Sequence, residues 1–242
     1  SSQRFEQAEF ASQIFFAVSA CRASCNGFIQ LPLLWCWNGG VLLFRDRSAT
    51  CDKKMKQPLS VVIITHNEEI NLRDCLESIR RMADEIVIID SNSSDQTQVI
   101  AQEYGAIVQI TDNWPGFGVQ KNRAVSFAKN DWILSIDADE RVTTELAKEI
   151  NDLLEAEPRY QAYKIPRLSW YCGRFIKHSG WHPEYVLRLF NRQSARFSDD
   201  LVHERVLYGG EVHRLDNSLL HYSFQNFSQV LSKIDLYSSA SR

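Results

Sequence analysis

The sequence predicts an α/β fold in which one mostly parallel sheet carries helices on both faces. Short β-rich apolar runs alternate with amphipathic segments between residues 60 and 136. The apolar runs lack the polar alternation of half-exposed strands, so we expect them to be buried on both sides. Alternation of strands and helices at this spacing is typical of parallel strands joined by helical crossovers.

Four buried strands and three helices are predicted in the first part of this domain. The first helix has Leu72, Cys75, Leu76 and Ile79 at the i, i+3, i+4, i+7 spacing of one helical face. Gly105 is expected to end the second helix. The predicted strands cover residues 61–65, 85–90, 106–110 and 132–136, and the predicted helices cover residues 69–82, 94–104 and 118–129.

The second part of the domain has a different texture. An amphipathic helix is predicted over residues 143–156, and after Pro158 the pattern changes to short strands that contain aromatic residues. We expect these strands to extend the sheet in mixed orientation. They cover residues 163–166, 185–190 and 218–223, and a last helix is predicted at residues 226–239.

The composition is that of an ordinary globular protein, with 44% hydrophobic and 24% charged residues. A net charge of −3 gives no sign of a nucleic-acid-binding surface. No C-x-x-C pair occurs, which argues against zinc. The few cysteines after residue 54 suit a reducing cytosol.

Residues 1–54 differ from the rest, because no helical or strand period persists in them. Their apolar stretch at residues 28–44 is interrupted by polar residues and glycines, and it is short for a membrane helix. We expect an irregular, non-native leader before a natural start at Met55, with a membrane-contacting arm as the alternative. The domain would then cover residues 55–242 and be truncated at its C-terminal end.

Polar clusters follow the first, second and fourth predicted strands. They are His66-Asn-Glu-Glu69, Asp90-Ser-Asn-Ser-Ser-Asp95 and Asp137-Ala-Asp-Glu140. Right-handed crossovers place the carboxyl ends of parallel strands at one edge, where open α/β sheets bind ligands, so we expect a nucleotide pocket there. The sequence contains neither the glycine fingerprint of dinucleotide-binding proteins nor a P-loop, which argues against both of those classes.

Two carboxylates at the end of the fourth strand predict a metal site. Asp137 and Asp139 are separated by the small Ala138, and the alternation of an extended chain points both side chains the same way. Adjacent carboxylates repel one another unless a cation lies near them. Mg²⁺ and Mn²⁺ prefer oxygen ligands and often bind through one or two carboxylates together with substrate phosphates. An acidic turn at a strand end is the alternative.

Four motifs in this order resemble those of family 2 glycosyltransferases, which have the GT-A fold. They are VVIITHNE at residues 61–68, VIIDSNSSD at 87–95, QKNRA at 120–124 and IDAD at 136–139. The resemblance covers about residues 57–242. Asn92 departs from the family pattern, which often has glycine there, and the 54 leading residues have no counterpart.

Two further stretches narrow the resemblance to the small cytoplasmic transferases of bacterial lipopolysaccharide core synthesis. They are WHPEYVLRLF at residues 181–190 and LVHERV at 201–206. Within that group the chain is similar to the β-1,4-glucosyltransferase that acts on inner-core heptose. This resemblance implies an inverting, metal-dependent hexosyltransferase whose second half forms the acceptor side.

The resemblance also implies a role for individual residues. Asp139 and His221 would bind Mg²⁺ or Mn²⁺, and Glu204 would be the catalytic base, with Asp200 as the second candidate. Trp181, Arg188 and Arg205 would contact the acceptor. The residues expected to bind the nucleotide sugar are Thr65, Asn67, Glu68, Asp90, Ser91, Lys121, Asn122, Asp137 and Ala138.

Each of these roles has a plainer alternative. Asp90 could cap the following helix, and Lys121 could be solvated. His221 could be a structural histidine, Trp181 could pack in the core, and Glu204 could form a salt bridge with a nearby arginine.

The expected partners are UDP-glucose as donor and the lipopolysaccharide core as acceptor. The protein would then work in the cytoplasm, in peripheral contact with the inner membrane, and would bind no nucleic acid. One alternative is another family 2 transferase with a different sugar donor or a polysaccharide acceptor. A sugar-nucleotide nucleotidyltransferase and an inactive nucleotide-binding scaffold are more distant alternatives.

Overall fold

The computed structural model describes residues 35–37, 40–42, 56–200 and 204–224. The chain divides into two compact units, Ser1–Asp52 and Lys53–Arg242. In the first unit, β1 (Trp35–Trp37) and β2 (Gly40–Leu42) form an antiparallel pair. Strands of three residues are too short to show a period in the sequence, and the expected leader at residues 1–54 stays a prediction.

The second unit contains one large sheet with four helices among its described residues. The strands of its first half are β3 (Leu59–Thr65), β4 (Glu85–Asp90), β5 (Ile107–Ile110), β6 (Trp132–Ser135) and β7 (Glu140–Val142). The helices are α1 (Glu69–Ile79), α2 (Thr97–Glu103), α3 (Phe117–Phe127) and α4 (Thr144–Glu155). The strands of its second half are β8 (Ala162–Tyr171), β9 (Arg174–Phe175), β10 (Glu184–Asn191), β11 (Ala195–Phe197), β12 (Val206–Tyr208), β13 (Val212–Arg214) and β14 (Leu219–Phe224).

The sheet confirms the prediction that parallel strands form its first part and that strands in mixed orientation extend it. Its order is β5-β4-β3-β6-β10-β8-β14-β7, and β9 and β13 also pair with β8. Strands β3, β4, β5 and β6 are mutually parallel. Strand β10 is antiparallel to both β6 and β8, so it joins the parallel half to the second half of the domain.

Strand β3 shows why this sheet is buried on both faces. Val61 and Ile63 pack into one apolar cluster, with buried residues of α1, α2 and α4, while Val62 and Ile64 pack into another cluster with Ala124 of α3. Side chains alternate across a strand, so a continuous apolar run supplies both clusters. The helices therefore cover both faces, as predicted.

Element boundaries differ from the prediction where local hydrogen bonds compete with regular structure. Helix α2 begins at Thr97 rather than residue 94, because Asp95 accepts hydrogen bonds from the Thr97 backbone and hydroxyl and holds the chain in a bend. The short strands β7, β9, β11, β12 and β13 were not predicted, since two or three residues carry no periodic signal. The helix predicted at residues 226–239 lies outside the described residues.

None of the helices in the described part of the chain is long and apolar enough to cross a membrane.

Candidate active site

The loops that follow β3 and β4 interlock at the carboxyl edge of the sheet. The Ser91 N–H donates to the Thr65 carbonyl at 2.8 Å, and the Asn67 N–H donates to Ser93 Oγ at 2.8 Å. Asn67 Oδ1 in turn accepts from the Ser94 N–H at 2.9 Å. Asn67 and Asn92 both have a φ of 55°. This left-handed region favours glycine and tolerates asparagine, which accounts for an asparagine at both positions.

Asp90 is the buried anchor of this double loop. Its carboxylate accepts hydrogen bonds from Thr65 Oγ1 at 2.7 Å, from the Ser93 N–H and hydroxyl at 2.8 and 2.6 Å, and from Gln98 Nε2 at 2.8 Å. The helix-capping alternative does not describe these contacts, because α2 begins at Thr97. Asp90 and Thr65 thus fix the shape of the predicted nucleotide pocket.

Glu68 and Ser91 lie beside that anchor. The Glu68 N–H donates to Thr97 Oγ1 at 2.8 Å, and Glu68 Oε2 accepts from Asn71 Nδ2 at 2.9 Å. Ser91 Oγ accepts from Gln120 Nε2 at 3.0 Å, and the same amide also donates to Thr111 Oγ1 at 2.7 Å. The fully buried Gln120 therefore ties α3 to the loop after β4 and to Thr111, which follows β5.

Asp137 lies between two buried cations at the end of β6. Its Oδ1 is 2.9 Å from Lys121 Nζ, and its Oδ2 accepts a hydrogen bond from Arg188 Nη2. Burial raises the pKa of Asp137, but the positive charges of Arg188 and Lys121 outweigh burial and hold its pKa well below the usual range. Asp137 is therefore ionised throughout the physiological pH range.

Glu140 completes this ion-pair cluster and was not predicted as a site residue. It is fully buried, accepts from the Asp137 N–H at 2.9 Å, and accepts from Arg188 Nη2 at 2.7 Å. Arg167 Nη1 lies 3.6 Å from the same oxygen, Glu140 Oε1, and Arg167 also forms a two-pronged salt bridge with Glu184. The signal in the sequence was a third acid directly after the predicted metal motif.

Arg188 takes a position different from the predicted acceptor contact. Only 6% of the residue is exposed, and its guanidinium points inward to Asp137 and Glu140. The reason is its place in β10, where the side chain faces the interior between two carboxylates that need a counter-charge. An arginine inside the apolar run YVLRLF was the available signal.

Asp139 and His221, the two residues predicted to bind a metal, lie next to one another. His221 Nε2 lies 3.4 Å from Asp139 Oδ2, and His221 Nδ1 lies 3.3 Å from Ser169 Oγ. Strand β14 holds this geometry, because the Tyr222 N–H donates to the Asp139 carbonyl at 2.8 Å. Ala138, between the two acids, is buried, and its carbonyl accepts from Arg141 at 2.8 Å.

These residues offer few protein ligands to a metal. Across the described residues, no group of three or more His, Cys, Asp or Glu side chains is arranged to hold an ion. The acidic end of β6 nevertheless brings four carboxylates together among the cations Lys121, Arg188 and Arg167. The carboxylates are Asp137, Asp139, Glu140 and Glu204.

Lys121 and Glu204 connect this edge to the second half of the domain. Lys121 Nζ donates to Glu204 Oε1 at 2.7 Å, and only 2% of the lysine is exposed. Lys121 is therefore not a solvated lysine on the helix surface, which was the alternative interpretation. Glu204 does form a salt bridge, as its alternative proposed, but with a lysine rather than an arginine.

Asn122 contacts the main chain of β11. Its Nδ2 donates to the Phe197 carbonyl and its Oδ1 accepts from the Phe197 N–H, both at 2.9 Å. Asn122 was predicted to bind the nucleotide sugar. The structure instead commits both ends of its amide to holding α3 against β11.

The remaining predicted residues lie at the surface. Asp200 and Arg205 are exposed, with Asp200 Oδ2 accepting from Ser198 Oγ at 2.7 Å. Trp181 is 44% exposed and meets Tyr171 edge-on, with ring centroids 5.6 Å apart, so it does not pack in the core. Residues 201–203 lie outside the described part of the chain.

Comparison with known proteins decides the family. The model of glycosyl transferase family 2 matches residues 60–210. The chain belongs to glycosyl transferase family 2. This transferase is 33% identical over 192 residues to an uncharacterized glycosyltransferase of Rickettsia typhi, which covers 75% of this chain and 65% of that protein. It thus spans about two thirds of that relative's length.

A second relative has a named pathway. The lipopolysaccharide core biosynthesis glycosyltransferase LpsC of Rhizobium meliloti is 34% identical to this transferase over 195 residues, 76% of this chain and 70% of LpsC.

Solved structures confirm the predicted GT-A fold of this family 2 transferase. The crystal structure of S. aureus TarS 1-349 aligns with a TM-score of 0.52 at 18% identity, covering 74% of this chain and 64% of that one. TarS 1-349 in complex with UDP-GlcNAc aligns with a TM-score of 0.53 at 17% identity, covering 72% and 60%.

Proposed function

We propose that this family 2 transferase moves glucose from UDP-glucose onto an inner-core heptose of lipopolysaccharide, with inversion at the anomeric carbon. The observation that carries the proposal is the Lys121 bridge between Asp137, from the nucleotide edge, and Glu204, from the second half of the domain. The 34% identity to LpsC supports the choice of a lipopolysaccharide core acceptor.

The nucleotide is proposed to bind over the β3 and β4 loops. Thr65 and Asp90 form a rigid floor through their mutual hydrogen bond, and Asn67, Glu68 and Ser91 line the rim. Because Asp90 is fully buried and already accepts four hydrogen bonds, the base and ribose would meet the rim, whose side-chain oxygens can accept from their N–H and hydroxyl donors. TarS, which shares the fold, was crystallised with UDP-GlcNAc, and this agrees with a uridine nucleotide as the carrier.

A divalent ion fits the acidic end of β6. Asp139 and His221 would hold it, and the diphosphate and water would supply the other ligands, as is usual for Mg²⁺ and Mn²⁺ sites with few protein ligands. When bound, the ion supplies positive charge that stabilises the departing diphosphate.

Glu204 is proposed to remove the proton of the attacking heptose hydroxyl. Its Oε1 is held by Lys121, and its Oε2 remains to accept that proton. The hydroxyl oxygen then bonds to the anomeric carbon on the face opposite the nucleotide. The bond from that carbon to the diphosphate oxygen breaks, and its electron pair leaves with UDP, so the anomeric configuration inverts.

The acceptor is proposed to lie over the second half of the domain. Exposed Trp181 offers a flat face on which a sugar ring can stack, and exposed Arg205 offers a cation for the anionic groups of the core. Because that acceptor is anchored in lipid, we propose peripheral contact with the cytoplasmic face of the inner membrane.

A donor panel tests the proposal. The protein with Mn²⁺ is incubated with heptose-terminated lipopolysaccharide and either UDP-glucose, UDP-galactose or GDP-mannose, and the product is analysed by mass spectrometry. We expect hexose addition from UDP-glucose only. Addition from another donor would overturn the glucose assignment, and transfer to a polysaccharide but not to heptose would overturn the acceptor.

A further inference from the structure

Lys121 is a buried lysine whose ammonium lies between two carboxylates. Its ammonium is buried and lies 2.9 Å from Asp137 Oδ1 and 2.7 Å from Glu204 Oε1. The same nitrogen lies 5.6 Å from the centre of the Phe197 ring. Two of the three N–H donors of this lysine therefore already point to carboxylates, and with only 2% of the residue exposed it offers little surface to an anionic diphosphate.

Helix α3 holds Lys121 in fixed register with β11 and with Ser198, which follows that strand. A Cβ added at Gly118 would lie 1.8 Å from the Ser198 carbonyl oxygen, so the helix touches this segment directly. Asn122 bonds to both main-chain groups of Phe197, and the Ser198 N–H donates to the Arg205 carbonyl at 2.7 Å. Gly118 and Asn122 lie on either side of Lys121 along the helix.

Lys121 also spans the two halves of the site. Asp137 belongs to the end of β6, in the parallel half, whereas Glu204 precedes β12, 83 residues from Lys121 in the sequence. A charged hydrogen bond is short and directional, so each carboxylate is held in one orientation relative to the other.

We infer that Lys121 is a positioning residue that aligns the base Glu204 with the donor-side Asp137, rather than a ligand of the diphosphate. This inference rests on the proposed function. Lys121 acts on transfer only through the carboxylates that it bridges. Its loss should therefore lower kcat without weakening nucleotide binding, and its effect should depend on the presence of Glu204.

The test compares Lys121→Met, Lys121→Arg, Glu204→Gln and the double variant Lys121→Met/Glu204→Gln. We expect Lys121→Met to lower kcat at least ~30-fold while the Kd for UDP with Mn²⁺ changes less than ~3-fold. These values lie within the range for a base that has lost its alignment. Lys121→Arg, which keeps the charge, should recover part of kcat. The double variant should be no slower than the slower single variant.

Lys148→Met is the matched control, because Lys148 is an exposed lysine on α4 that forms a salt bridge with the exposed Asp152. It should leave both kcat and Kd unchanged. A loss of UDP affinity in Lys121→Met that accounts for the loss of kcat would overturn the inference and make Lys121 a nucleotide ligand. Losses that multiply in the double variant would equally overturn it.

A readout without turnover separates this inference from the proposed function. The thermal midpoints of the same variants form a double-mutant cycle for the bridge itself. Midpoint shifts in the double variant that are smaller than the sum of the single shifts support the bridge, even if the donor panel shows no transfer. Purely additive shifts contradict it, whatever the donor panel shows.

Discussion

Arg188 is the cation around which the acidic end of β6 is organised. It contacts Asp137 and the fully buried Glu140, and negative charge on both sides raises its pKa above the ordinary value, against the effect of burial. Buried ion pairs of this kind contribute little net stability, but removal of one partner leaves an uncompensated charge. The arginine is thus a structural requirement of the site.

Arg188→Met should destabilise the protein by about 3–5 kcal/mol, because Glu140 would stay buried without its main counter-charge. The double variant Arg188→Met/Glu140→Gln removes both charges and should be less destabilised than the single variant. Urea denaturation measures both. If Arg188→Met unfolded with a free energy within about 1 kcal/mol of the wild type, or if the double variant were less stable than Arg188→Met, the Arg188–Glu140 pair would not be the contact that stabilises this cluster.

Asp139→Asn tests the metal at the residue scale. We expect the fold to persist and the affinity for UDP in the presence of Mn²⁺ to fall at least about tenfold, since a ligand matters at least as much as the groups that orient it. Isothermal calorimetry with and without Mn²⁺ gives the measurement. Asp152→Asn, an exposed aspartate on α4, is the matched control. Equal affinity in both variants would remove Asp139 from the metal site.

At the scale of elements, α3 packs closely against β11 and the residue that follows it. Gly118 is the contact point, where the helix meets the main chain of Ser198. Only a residue without a Cβ permits this approach, and the approach lets Lys121 reach Glu204. Gly118 is therefore required for packing, because the helix could not approach Ser198 with a larger residue at this position.

Gly118→Ala should destabilise the protein by roughly 1–3 kcal/mol, because the added methyl group overlaps the Ser198 carbonyl and forces the helix outward. It should also lower turnover, as Lys121 moves away from Glu204. Gly209→Ala is the control, since a Cβ there meets nothing within 4 Å. Chemical denaturation that shows the same stability for both variants would contradict this close packing.

The elements that the sequence predicted are those whose signal is local. Strands β3, β4 and β6 are continuous apolar runs, and α1 carries its buried residues at helical spacing, so their positions followed from pattern alone. Strands β11 and β12 were missed because they are three residues each and exist through pairing with one another. The parts of the site that depend on such pairing were missed with them.

At the scale of the whole molecule, the site is assembled from residues far apart in the sequence. The residues of the nucleotide edge were predictable, because strand ends and fold rules place them together. The contacts of Arg188 with Glu140 and of Lys121 with Glu204 were not, since nothing in a linear sequence shows which buried charge meets which. The pairing of β10 with β6 and of β11 with β12 brings those residues together.

The most direct test of this account is the turnover of Glu204→Gln. With UDP-glucose, Mn²⁺ and heptose-terminated lipopolysaccharide, we expect a loss of at least ~100-fold in kcat, as for a positioned general base, with the Kd for UDP unchanged. Glu211→Gln, an exposed glutamate in the same half of the domain, serves as the control and should keep wild-type turnover. Near-normal turnover in Glu204→Gln would contradict the account and transfer the role of base to Asp200.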